Sequence, residues 1–189
     1  SMTVGLKNTG LSANLWGSID NTPRPGTSGM LGETDLTVDW TGSTGFSEST
    51  GSLGAIYYTF PNLAAPNTTF EIYGGLSFPN VAFTPSAKIF YDMQLGTGAY
   101  VAVAGAQPFM VANWPFSAGL SAGYNIEQFI TGSPLSDINL SVGTGISLAG
   151  LSISPSLVYT IVPDSMVNAA AAAGLAAQTQ LWGGITVGM

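Results

Sequence analysis

The stretch "DINLSVGTGISL", residues 137–148, decides the fold. Ile138, Leu140, Val142, Thr144, Ile146 and Leu148 lie on one phase, and Asp137, Asn139, Ser141, Gly143, Gly145 and Ser147 on the other. A period of two is that of a β-strand whose faces meet unlike surroundings. The polar phase is Gly, Ser and Asn with one acid, without the Lys, Arg or Glu expected against bulk water. Which face meets water therefore decides the class of protein.

Composition narrows the choice. Only 7% of the 189 residues are charged, against roughly 25% in soluble domains. Aromatics reach 11% and mean hydropathy is +0.35. Such a chain cannot cover itself with a charged surface, so its outside is expected to touch lipid or other protein. No apolar run approaches the ~18 residues of a spanning helix; the Ala-rich tract near Ala169 is interrupted by Gly174. A closed β-barrel is then the way left to cross a bilayer, because it pairs every backbone group.

Cys and His are both absent, which removes disulfides, thiolate metal sites and the commonest general base. A net charge of −7 argues against nucleic acid, which wants a basic stripe. Residues 1–189 read as one domain, without a signal peptide and with Ser1-Met2 as a cloning scar.

Gly, Pro, Ser, Thr and Asn punctuate the chain as in an all-β meander. About ten strands are predicted, at 11–19, 33–41, 53–60, 69–78, 85–95, 99–107, 116–126, 137–148, 151–162 and 179–189. A ten-residue strand is ~33 Å long, and a ~40° tilt leaves ~25 Å along a barrel axis, the height of an outer-membrane apolar band. The opening pattern recurs. Leu36, Val38 and Trp40 oppose Glu33, Asp35 and Asp39; Phe70, Ile72 and Leu76 oppose Glu71 and Tyr73; Ile89, Tyr91 and Met93 oppose Lys88, Phe90 and Asp92.

If the apolar phases packed together in a soluble sandwich, the outside would be long, weakly charged strands open to edge pairing. If the polar phases faced lipid, Glu33, Asp35 and Asp39 would each cost up to a few kcal/mol there. Apolar out and polar in accounts for both stripes. The expected fold is a closed, antiparallel up-and-down transmembrane β-barrel. The long connections at 20–32 and 163–178 fall at one end of the meander and a tight Ala149-Gly150 turn at the other, as for outer loops and periplasmic turns. The short "LGTG" before Tyr100 departs from that rule. "NAAAAAGLAAQ", residues 168–178, suits a helical turn, either as a small-residue spacer or as a docking element.

Several strands, taken in order, carry a resemblance: "EIYGGLSF" (71–78), "PSAKIFYD" (85–92), "TGAYVAVAGA" (97–106), "LSAGYN" (120–125), "SDINLSVGTG" (136–145), "LSISPSLVY" (151–159) and "LWGGITVG" (181–188), with "LSANLWGSIDN" (11–21) before them. The chain resembles an uncharacterised family of Gram-negative outer-membrane β-barrel proteins. The resemblance implies an integral outer-membrane location and carries no activity. Family members have further strands before the segment similar to "NLWGSIDN", which implies missing N-terminal strands here. The last strand alternates as an assembly signal does but ends in Met189 rather than the usual aromatic, which puts the native C-terminus in question.

No enzyme, cofactor or metal site is expected. Lys7 and Lys88 sit in no Ser–Lys motif, and no spaced Asp/Asn/Gly loop for Ca²⁺ is present, so only two-carboxylate chemistry is formally open. Glu33, Asp35, Asp39, Glu71, Asp92 and Asp137, with Lys88, are the candidate lumen-lining residues. Two readings stand. The acids form an interior network satisfied by Lys88, Tyr73, Tyr100 and Gln94, or they make an acidic lumen that favours cations. Trp16 and Trp182 fall on the inward phase, as barrel packing or as a stacking platform. Tyr58, Phe60, Phe70, Phe78, Phe116, Tyr124 and Tyr159 are assigned to lipid-interface girdles. The expected function is a narrow small-solute or cation-preferring channel, its partners being outer-membrane lipid and small solutes. The alternatives are a non-conducting structural or partner-binding barrel and a soluble or fibre-forming β-sandwich subunit.

Overall fold

The computed structural model describes residues 1–20, 29–63, 67–148, 151–175 and 177–188. The chain is an antiparallel meander of twelve strands and one short helix. The strands are β1 (Met2–Gly5), β2 (Leu11–Asp20), β3 (Met30–Ser43), β4 (Thr50–Thr59), β5 (Thr68–Ser77), β6 (Ser86–Asp92), β7 (Ala99–Val111), β8 (Trp114–Ile126), β9 (Leu135–Thr144), β10 (Ile146–Leu148), β11 (Leu151–Ile161) and β12 (Gln180–Gly188). The helix α1 (Asp164–Ala172) lies between β11 and β12.

Two differences from the expected count have simple causes. β1 is only four residues long, too short to show a period, and pairs Met2 with Leu15. The segment 137–148 is one strand interrupted at Gly145, with β9 and β10 in the same register against β11. The expected Ala149-Gly150 turn, most of the 20–32 connection and the final Met189 lie outside the described residues. Among the described residues the ladder runs from β1 to β12 without pairing those two strands, so the sheet is not closed.

With β9 and β10 counted as one strand, each strand pairs with its sequence neighbour, so the register carries one face across the sheet. Glu71 pairs with Asp92, Lys88 with Ala102, Ala102 with Gly123, and Gly123 with Asp137. In the other direction Glu71 pairs with Ile56 and Ile56 with Thr37, whose face holds Glu33, Asp35 and Asp39. The opposite face is apolar. Leu36, Val38, Leu53, Ile72, Ile89, Val103, Leu120, Leu140 and Leu157 are 44–62% exposed there, with nothing packed on them.

The interior is inverted relative to a soluble domain. Among the described residues the buried polar side chains are Ser49, Thr69, Glu71, Asp92, Asn125 and Gln128, while the buried apolar ones are Tyr73, Ala99, Ile130, Val158 and Ala170. The accessible surface is 11892 Å², against about 8,500 Å² expected for a folded monomer of this mass. No helix among the described residues is long and apolar enough to cross a membrane.

Tyr58 and Phe60 are corrections. Tyr58 pairs with Thr69 and its hydroxyl donates to Glu71, so it lies on the polar face, and Phe60 stacks beside it at 6.5 Å between ring centroids. The segment "AIYYTF" is apolar on both phases, so period alone assigns neither residue; the ladder does.

The Ala-rich connection forms α1 ahead of the expected turn. Asp164 sits in its first turn, where a carboxylate opposes the helix dipole. Gly174, at φ 74°, closes a Schellman motif in which the Leu175 N–H donates to the Ala170 carbonyl at 2.8 Å and the Gly174 N–H to that of Ala171 at 3.1 Å. The helix packs against β9 with Ala170 fully buried. Gly174→Ala places a side chain in the left-handed region and should cost about 1–2 kcal/mol. Hydrogen exchange should show this locally, with faster exchange at Leu175 and unchanged protection at Val158 in β11.

Candidate functional site

The polar face carries all seven residues expected to line a lumen: Glu33, Asp35 and Asp39 from β3, Glu71 from β5, Lys88 and Asp92 from β6, and Asp137 from β9. They form two tiers, set by how far along its strand each residue stands.

The first tier is a belt of rings held at both ends by acids. Tyr73, Phe90 and Tyr100 pair across β5, β6 and β7, with ring centroids 5.3 and 6.2 Å apart. Each terminal tyrosine leans outward over a glycine. A Cβ at Gly54 would overlap the Tyr73 ring, which reaches toward Asp39. A Cβ at Gly123 would overlap the Tyr100 hydroxyl, which donates to Asp137 at 2.9 Å. Asp137 also accepts from the Asn139 amide at 2.6 Å, and Asp39 accepts from the Ser12 hydroxyl. Glycine is required at these strand positions because a phenol occupies the space beside them. The Lys88 ammonium lies 4.9 Å from the Tyr73 ring centroid, a cation–π contact.

The second tier lies toward the end that carries the connections 93–98 and 127–134. Glu71 accepts from the Tyr58 hydroxyl at 2.6 Å and from the Gln128 amide. Asp92, fully buried, accepts from the Thr69 hydroxyl at 2.6 Å and from the backbone N–H groups of Gln94 at 2.9 Å and Gly96 at 2.8 Å. It thereby organises the β6–β7 connection. Glu33 and Asp35 complete the tier, and the buried Oδ1 of Asp35 has no hydrogen-bond partner among the described residues.

The expected partners of the acids are partly replaced. Tyr100 serves Asp137, and Gln94 serves Asp92 through its backbone, but Lys88 is spent on the Tyr73 ring. Tyr58, Thr69 and Gln128 take the remaining places. Sequence pattern has no means of finding Gln128, which lies in a connection and meets a strand far away in sequence. Trp16 and Trp182 both lie on the polar face, near opposite edges of the sheet: Trp16 pairs with Asp35, and the Trp182 indole donates to Thr160 at 3.2 Å. Phe70, Phe116, Tyr124 and Tyr159 stand on the apolar face, and half-buried Phe78 follows β5.

Oxygen acceptors, hydroxyls and one ammonium make this face rich in hydrogen-bonding groups and negative in charge. Among the described residues no cluster of acids has the geometry to hold a metal ion. Tyr100→Phe leaves Asp137 with the Asn139 amide and should lower unfolding free energy by about 1–3 kcal/mol. Tyr159→Phe, on the apolar face, should change it little; chemical denaturation of the two variants side by side checks this.

Compared with known proteins, the chain matches no family model, no curated protein and no solved structure.

Proposed function

We propose that the chain is an integral outer-membrane β-barrel whose polar face encloses a narrow, cation-preferring pathway for small solutes. The carrying observation is the inside-out sheet: an apolar face left uncovered on strand after strand, opposite a face that gathers the acids. Lipid is the surrounding that makes both faces stable. Closure follows from the same physics. In a bilayer the unpaired backbone of β1 and β12 would each cost several kcal/mol per orphan group, so these edges must be joined.

Aromatic placement supports the reading. Tyr57, Tyr91, Tyr124 and Tyr159 stand on the apolar face toward one end of the sheet, and Trp40, Phe109 and Phe116 toward the other. Phe116 and Tyr124 bracket β8 at a separation of eight residues, about 26 Å along a strand and ~20 Å along a tilted barrel's axis. Two aromatic girdles about that far apart suit a bilayer. The connections at 93–98, 127–134 and 162–179 share one end, and those at 6–10, 44–49, 78–85 and 112–113 the other; the longest of these, 162–179, and the shortest, 112–113, lie at opposite ends.

A non-conducting barrel is the second reading. It is favoured by the number of acids already committed to hydrogen bonds, Glu71, Asp92 and Asp137 among them.

Leu140→Arg should impair insertion into bilayers by about 2–4 kcal/mol, the value of a charge on the lipid face at the midplane. Ser141→Arg, its neighbour on the polar face, should be tolerated better. Equal penalties in a detergent-dilution folding assay would reject the membrane reading, as would a monodisperse detergent-free monomer, which favours the soluble sandwich.

In planar bilayers under a salt gradient, the reversal potential should report preference for K⁺ over Cl⁻. Asp35→Asn should weaken that preference more than Asp39→Asn, because Asp39 is already engaged by Ser12 whereas Asp35 Oδ1 is not. Absence of any current would favour the non-conducting barrel.

A further inference from the structure

The β8–β9 connection, residues 127–134, does not extend away from the sheet as a surface loop would. Two of its side chains, Gln128 and Ile130, are 7% and 5% exposed, and its backbone runs over the polar face at the β6–β7 connection. Two glycines there make room. A Cβ at Gly98 would collide with the Gln128 backbone nitrogen, and one at Gly96 would press on the Phe129 ring at 2.9 Å. The Phe129 N–H donates to the Gly96 carbonyl at 3.3 Å, the weakest bond of the set.

Asn125, at the end of β8, pins the near side of this strap. Its amide donates to the Gln128 carbonyl at 2.9 Å, and its Oδ1 accepts from the Gln128 N–H at 2.9 Å. The far side is held by one side-chain bond, the Gln128 amide on the Glu71 carboxylate, which spans from β8 back to β5. Glu127 and Phe129 hold left-handed backbone, φ 54° and 60°, a conformation that non-glycine residues adopt only when their surroundings impose it. The closed strap is therefore under local strain and is held over the sheet by one side-chain contact, Gln128 on Glu71, beside the long Phe129–Gly96 backbone bond and a bridge between Glu127 and Ala99. Glu71 keeps its bond from Tyr58 when that contact breaks.

We propose that residues 127–134 are a latched strap that closes the polar face at this end, with Gln128 on Glu71 as the latch. Opening would bare Glu71 beside Asp35 and so unblock the pathway while adding an acid to its lining. The strap itself is a property of the fold; only its consequence for permeation rests on the channel reading.

The chain has no cysteine, so Ile130→Cys supplies a single buried thiol whose maleimide labelling rate measures opening. Adding Gln128→Ala should raise that rate roughly 10- to 100-fold, the range for losing a hydrogen bond to a charged group. Adding Gly98→Ala, which touches neither latch residue's side chain, should raise it as well by lifting the strap. Ser147→Cys, exposed in β10, is the control; its rate should be the same in all backgrounds, and a parallel rise there would mean unfolding and reject that variant as a report on the strap. Unchanged labelling of Ile130→Cys in both variants overturns the latch, as does full reactivity before either is added. Bilayer recordings separate the two ideas. Raised labelling without current upholds the latch and rejects the channel, whereas current with unchanged labelling rejects the latch alone.

Discussion

The unbroken antiparallel ladder is the constraint on which the rest of this structure depends. Because every strand pairs with its neighbour in sequence, the two-residue period of one strand is handed to the next. Among the described residues register shifts occur at Ser18/Ile19 and Gly123/Tyr124, both near the ends of their strands. A slip of one residue in the middle of the sheet would exchange Glu71 with Ile72, placing a carboxylate among uncovered leucines and valines. The sorting of acids to one face is thus a cooperative property of the sheet.

That sorting creates a problem which the polar face solves without bases. Acids gathered on one face need donors, and only three Lys and Arg residues are available in the chain. Phenols, amides and backbone N–H groups take their place. Tyr58 and Gln128 converge on Glu71, Tyr100 and Asn139 on Asp137, and the β6–β7 connection wraps Asp92. Neutral donors leave the net negative charge standing, which a salt-bridged interior would have cancelled. The same chemistry that satisfies the acids leaves their charge uncancelled, and the proposed cation preference rests on that charge.

Glycine has a specific part in this arrangement. Gly54 and Gly123 leave slots through which tyrosines reach acids two strands away, and Gly96 and Gly98 leave the floor on which the strap rests. At these four positions a small residue marks where a large side chain or backbone from elsewhere comes to lie, whereas a Cβ at Gly184, also on the polar phase, would meet nothing within 4 Å.

The sequence by itself determined the strand class, the up-and-down order and the shared face of Glu33, Asp35, Asp39, Glu71, Asp92 and Asp137, because alternation is a local property and strands such as 137–148 contrast sharply between their phases. It could not assign Tyr58 and Phe60, since "AIYYTF" is apolar on both phases and only the pairing with β5 breaks the tie. It could not show β1, which is shorter than its own signal, or the interruption at Gly145. The tertiary structure alone decided which donor meets which acid and that 127–134 folds over the polar face. Those contacts join residues far apart in the chain, as Gln128 and Glu71 are, and depend on the path of the connection after β8. Periodicity within a strand carries no information about that path.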